Sequence, residues 1–127
     1  MAGGLTISTL NDSSGVLASQ NGMSGIAKAW VNFNGSNGAI NTSFNISSVT
    51  RNGGGDYTVN FTTAMPSAYY AISGTCLPTT GQTGSSYGRA IVPRYDSVPT
   101  TSSFRFWTVT TGVGPEDFAQ VMVAVNR

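Results

Sequence analysis

The side chains able to do chemistry are few and scattered. The carboxylates are Asp12, Asp56, Asp96, Glu116 and Asp117, and no histidine is present. Without imidazole the chain lacks the most frequent general base and the commonest metal ligand. Glu116 and Asp117 are the one adjacent acidic pair. Neighbours along a strand point to opposite faces, so the pair suits acid–base work poorly, and a glycosidase is disfavoured. Asp12, Asp56 and Asp96 could meet only through folding, and a calcium site built on them would need carbonyl oxygens too. Cys76 stands alone, which excludes an intramolecular disulfide and a thiolate zinc site. With no base in view it reads as a packed thiol rather than a nucleophile. Arg89, Arg94 and Arg105 could share neighbouring strands and clamp a carboxylate or phosphate, but pairing with Asp96 or Asp117 is the preferred reading. Gly53, Gly54 and Gly55 make no phosphate loop, since no Lys-Ser/Thr follows and no helix opens behind them. The Asn-x-Ser/Thr triplets at Asn11, Asn34, Asn41, Asn45 and Asn60 are expected by chance in a chain so rich in these residues. The expectation is a non-enzymatic protein with no catalytic residue, no metal and no cofactor.

If bonds are not made or broken, the elements must position a surface. Charged residues are 9% of 127 and the formal net charge is +1, well below the charge density of an ordinary soluble domain. No basic cluster supports nucleic-acid binding. No apolar run is long enough for membrane insertion. The opening MAGGLTISTL lacks the basic start and apolar core of a signal peptide, so synthesis in a cytoplasm is the default expectation. Leu, Ile, Val and Phe make up about a fifth of the chain, and the remainder is mostly Gly, Ser, Thr and Asn, the composition of turn-rich β-structure. A surface made soluble by hydroxyls and amides is often covered in an oligomer.

Strand patterning is clearest at Tyr57-Thr58-Val59-Asn60-Phe61, where apolar and polar residues alternate. Tyr57, Val59 and Phe61 should face a core. The turn at residues 52–55, Asn-Gly-Gly-Gly, joins this strand to residues 46–51, where Ile46 and Val49 are three apart and imply a bulge. Residues 26–33 place Ala27, Ala29, Val31 and Phe33 on one face, and residues 39–44 form the next strand. Further strands are expected over residues 69–75, 87–95, 104–111 and 118–125. Pro93 marks an edge or bulge in the second of these. Phe104, Phe106 and Thr108 share a face, as do Val121, Val123 and Val125 of a central last strand. About eight short strands at turn spacing of roughly 8–12 residues indicate an all-β fold, an antiparallel β-sandwich or jelly-roll-like domain. Residues 26–127 form this domain. Residues 1–25 read as an extended N-terminal arm, with a short strand at Leu5, Ile7 and Leu10 and an apolar spot at Val16 and Leu17. The arm docks on a neighbouring subunit or another protein, or packs along its own domain.

Three segments also carry a resemblance: Lys28 to Phe33 (KAWVNF), Ser43 to Ser48 (SFNISS) and Gly55 to Phe61 (GDYTVNF). This wording resembles a segment that recurs in tail-fibre and other virion-surface structural proteins of tailed bacteriophages. The resemblance covers about a third of the chain and leaves residues 1–25 and 74–127 outside. It implies an oligomeric structural protein of the virion, made in the host cytoplasm, and brings no binding residue with it.

Together these readings give a tail-fibre or fibre-tip module for host-surface attachment, expected as a homotrimer. Its partners would be other virion proteins and a host surface glycan or protein. Loops carry recognition more often than strands, so residues 77–86 and 95–103 are expected together at a tip. The receptor candidates are Thr79, Thr80, Gln82, Tyr87, Tyr95 and Trp107. Docking candidates are Leu5, Ile7, Leu10, Val16, Leu17 and Trp30; Trp30 is expected at a core or subunit interface rather than as a sugar-stacking platform. The alternative is a capsid decoration (cement) protein bound to the major capsid protein, and a short chain with no long shaft keeps that reading close.

Overall fold

The structure, a computed structural model, describes residues 3–4, 6, 9–12, 15–18, 27–79 and 88–127. Strands β1 (Thr9–Asp12) and β2 (Gly15–Ala18) pair antiparallel, with Leu10 opposite Leu17 and Asn11 opposite Val16. The first part of the chain therefore carries an antiparallel strand pair. Leu5 and Ile7, expected in the first strand, lie outside the described residues.

The remaining strands are β3 (Ala27–Phe33), β4 (Ile40–Phe44), β5 (Ile46–Gly53), β6 (Asp56–Phe61), β7 (Ala71–Leu77), β8 (Arg89–Pro93), β9 (Ser103–Thr110), β10 (Gly114–Pro115) and β11 (Gln120–Asn126). They form two antiparallel sheets packed as a β-sandwich. One has the order β4-β3-β11-β7. In the other, β5 pairs β6, β6 pairs β9, and β9 also pairs β8 and the short β10. Thr108 shows how β9 is shared: its N–H donates to Gly55 O and its C=O accepts from Glu116 N–H. Hence β10 continues the edge held by β6, and β8 takes the other edge. As an edge strand, β8 tolerates Pro93 at its end.

The core follows the period of two. Ala29, Val31 and Phe33 of β3, Tyr57, Val59 and Phe61 of β6, Phe104 and Phe106 of β9, and Val121, Val123 and Val125 of β11 are all buried. Phe33 meets Tyr57 edge-on at 5.0 Å between ring centroids, and Tyr57 meets Phe106 at 5.7 Å. Each buried Phe contributes about 1.5–3 kcal/mol through area removed from water. Cys76 is buried in the same core and burial pushes its thiol up. Ile46 and Val49 both turn inward because β5 bulges at Ser47: Ile46 pairs Phe61, and Ser48 pairs Asn60.

Two devices join the sheets. At the corner between β4 and β5, Asn45 adopts φ 56°, a left-handed conformation that few residues other than Gly accept. Its Nδ2 donates to Lys28 O at 3.2 Å and Thr63 O at 3.1 Å, and its Oδ1 accepts from Thr63 N–H at 2.7 Å. At the other end, Asp117 accepts from Gly55 N–H at 2.8 Å and Arg51 Nη2 at 2.6 Å. The Tyr57 hydroxyl lies 2.8 Å from both Asp117 Oδ1 and Gly35 O. Burial works to raise the Asp117 carboxyl, but Arg51, the Gly55 amide and Tyr57 together hold it below the usual range. Gly55, at φ 64°, has no room for a Cβ, which would land on the backbone of Glu116 and Thr108.

Candidate functional site

Residues that alternate away from the core build the outer face of the five-stranded sheet. Asp56, Thr58 and Asn60 come from β6, and Arg105 and Trp107 from β9. Register sets Asp56 opposite Trp107 and Thr58 opposite Arg105. Across β9, Val92 of β8 lies opposite Trp107. The chain leaving β8 then adds Arg94, Tyr95 and Asp96, tied back by Arg94 N–H to Arg105 O at 3.2 Å.

These groups interlock. Arg105 grips Asp56 with two parallel bonds, Nε to Oδ1 at 2.9 Å and Nη2 to Oδ2 at 2.8 Å. Arg94 Nη1 reaches Asp56 Oδ2 at 2.7 Å. The rest of the Arg94 fork closes on Asp96, through Nε to Oδ1 at 2.6 Å and through Nη2 to Oδ2. The Arg94 guanidinium also lies over the Trp107 indole, 4.2 Å from the ring centroid. Such stacking suits a planar, weakly hydrated cation. Asp56 is only 8% exposed although it faces outward, because two arginines roof it. Asn52 Nδ2 adds a bond to Thr58 Oγ1 at 2.9 Å and Asn60 Nδ2 one to Ser48 Oγ at 3.0 Å, so the face continues as hydroxyls and amides.

Above this network stands Tyr95, 86% exposed. Its ring centroid is 6.1 Å from that of Trp107, tilted by 60°. The indole itself is half-buried with Arg94 across it, so Tyr95 is the ring offered outward. Arg105 first, and then Arg94, hold the Asp56 carboxyl below the usual range, and Arg94 does the same for Asp96. Carboxylates kept ionised and paired in this way are poor proton donors near neutral pH. The arrangement is a pre-ordered set of donors and acceptors beside an exposed aromatic ring.

Of the receptor candidates, the structure brings together Tyr95 and Trp107. Thr79 is exposed just beyond β7, while Thr80, Gln82 and Tyr87 lie outside the described residues. Of the two loops expected at a common tip, only residues 94–102 are fully described. Gly88, whose O accepts from Thr111 N–H, stands at the start of β8, and residues 94–102 leave its far end. Residues 80–87 of the other loop expected at that tip lie outside the described residues. Among the docking candidates, Leu10, Val16 and Leu17 lie in the β1–β2 strand pair. Trp30 is 39% exposed on the outer face of the other sheet, directly opposite Phe44 at 56%. The expected arginine pairings hold in part. Arg94 does take Asp96, but Asp117 goes to Arg51, and Arg89 turns inward with its guanidinium 6.0 Å from the Phe118 ring centroid. Sequence reasoning missed Asp56 as the hub. The signal was present: Asp56 precedes inward Tyr57, so it shares the outward face with Thr58, and Arg105 and Trp107 are the outward positions of β9.

Comparisons with protein-family models, with curated proteins and with solved structures returned no match.

Proposed function

We propose that this protein is a non-enzymatic structural component of a tailed-bacteriophage virion, a tail-fibre or fibre-tip module that attaches to the host surface. Contact is made through the outer face of the five-stranded sheet. The observation that carries the reading is Tyr95, an almost fully exposed aromatic ring held beside Trp107 over a satisfied Arg–Asp network. A large aromatic kept in water in a turn that is tied back to a sheet costs solubility, and such residues are typical anchors of binding sites. The phage resemblance supports the context: its segments lie in β3, at the β4–β5 corner and in β6, and they include Asp56. The module works as a homotrimer in this reading, joined to other virion proteins through residues 1–25. The test is adsorption of the purified chain to a panel of bacterial cells. Binding that is blocked by excess protein and lost in Tyr95→Ala supports the proposal; no adsorption to any host that the parent virion infects refutes it.

A second reading, capsid decoration, is favoured by one feature: the Trp30–Phe44 pair exposed on the opposite sheet. Under it the chain binds emptied heads, and Trp30→Ser with Phe44→Ser abolishes that binding.

A further inference from the structure

We infer that the ligand of the Tyr95 face is an uncharged saccharide, a glycan built from hexose or N-acetylhexosamine units without carboxylate, phosphate or sulfate. The inference rests on the host-attachment reading and names its ligand class. The first argument is charge. Arg94 and Arg105 bring two positive charges, and Asp56 and Asp96 bring two negative ones within hydrogen-bond distance. Two minus two leaves no net charge for an anion to neutralise. An anionic group would have to displace Asp56, itself 8% exposed, from its bidentate clamp on Arg105.

The second argument is the pattern of exposure. Asp96 keeps 43% of its side chain exposed and Arg105 keeps 33%, while Arg94 keeps only 14%. The accessible polar groups are therefore one acceptor-only carboxylate and one donor-only guanidinium edge. Asp96 follows Tyr95 in the chain, and Arg105 shares the outer face of β9 with Trp107, the ring beside Tyr95. Sugar hydroxyls both donate and accept, and vicinal pairs can serve the two groups at once. The apolar C–H face of a pyranose then lies on Tyr95. Trp107 acts as a positioning residue, fixing Tyr95 and carrying Arg94 across its own face. Farther along the sheet, Thr50, Thr58, Asn60 and Ser48 extend the same neutral donor–acceptor surface for further sugar units.

The test uses the full chain and immobilised neutral oligosaccharides of hexoses and N-acetylhexosamines, beside carboxylated, sulfated and phosphorylated counterparts. Expected is binding to members of the neutral set, changed less than about twofold between about 50 and 500 mM salt. Tyr95→Ala should weaken it about tenfold or more, and Tyr95→Phe should keep it, with unfolding midpoints unchanged. Preference for anionic glycans, steep salt dependence, or undiminished binding by Tyr95→Ala overturns the inference. So does the absence of any glycan binding. If the chain still adsorbs to bacterial cells in these cases, the attachment reading survives and only the ligand class fails; if cells are not bound either, both fall.

Discussion

Removing one oxygen from Tyr57 tests how the two sheets are locked. The hydroxyl is buried, 2.8 Å from Gly35 O in the β3–β4 turn and 2.8 Å from Asp117 Oδ1 ahead of β11. It has one proton for two acceptors, and the ionised carboxylate is the stronger. Tyr57→Phe keeps the ring against Phe33 and Phe106, so the loss is one charge-assisted hydrogen bond. Such bonds contribute about 1.5–3 kcal/mol. Asp117 keeps Arg51 and the Gly55 amide, which places the expected cost near 2 kcal/mol, or about 8 °C in melting temperature for a chain of this size. Urea unfolding with an unchanged slope measures it. A double-mutant cycle with Asp117→Asn should show coupling of about 1 kcal/mol or more. A loss below about 0.5 kcal/mol, the range of a surface substitution, would refute the argument: Asp117 would then be satisfied by Arg51 and Gly55 alone.

Other outcomes follow from the same contacts. Asp56→Ala leaves two guanidinium groups facing each other; Arg94 keeps Asp96, so the cost is about 3 kcal/mol by urea unfolding, the low end for breaking a buried ion pair. Gly55→Ala puts a Cβ onto the backbone of Glu116 and Thr108 at φ 64°, costing about 2 kcal/mol or more in the same assay. Acid should destabilise the fold. Asp56 and Asp117 are held below their ordinary value of 3.8, so their stabilisation is present above that pH and is lost as pH falls through the folded values. Alkali acts through Tyr57 and Tyr70, both raised from 10.0 by burial, Tyr70 to about 12. That stabilisation is complete below pH 10 and is lost toward pH 12 and above, seen as unfolding by circular dichroism across a pH series.

The sandwich was legible wherever alternation was strict. Tyr57, Val59 and Phe61, then Phe104 and Phe106, then Val121, Val123 and Val125 announced both their strands and their inward faces, because a period of two leaves no other way to bury them. Even the bulge in β5 could be read from Ile46 and Val49. The site was half legible. Exposed Tyr95 and outward Trp107 were found, but their partner Asp56 is 38 residues from Arg94 and 49 from Arg105. Sequence alone offers no rule for which arginine crosses to which carboxylate over such distances. The same gap sent Asp117 to Arg51 rather than to the arginines nearer the end of the chain. Composition marks a loop without saying at which end of a strand it emerges, so the position of residues 94–102 at the end of β8 far from Gly88 was not legible.

The corner at Asn45 bears on how copies of this chain could become entangled. The polypeptide passes from one layer to the other through a single left-handed residue, with no loop to absorb a change. A residue that resists that conformation, such as Val, would let β4 run straight on into β5. The β5–β6 hairpin would then reach away from its own sandwich, and the equivalent hairpin of a second copy would complete each. One amide side chain, with three bonds to the backbone of Lys28 and Thr63, stands in the way of such a domain swap.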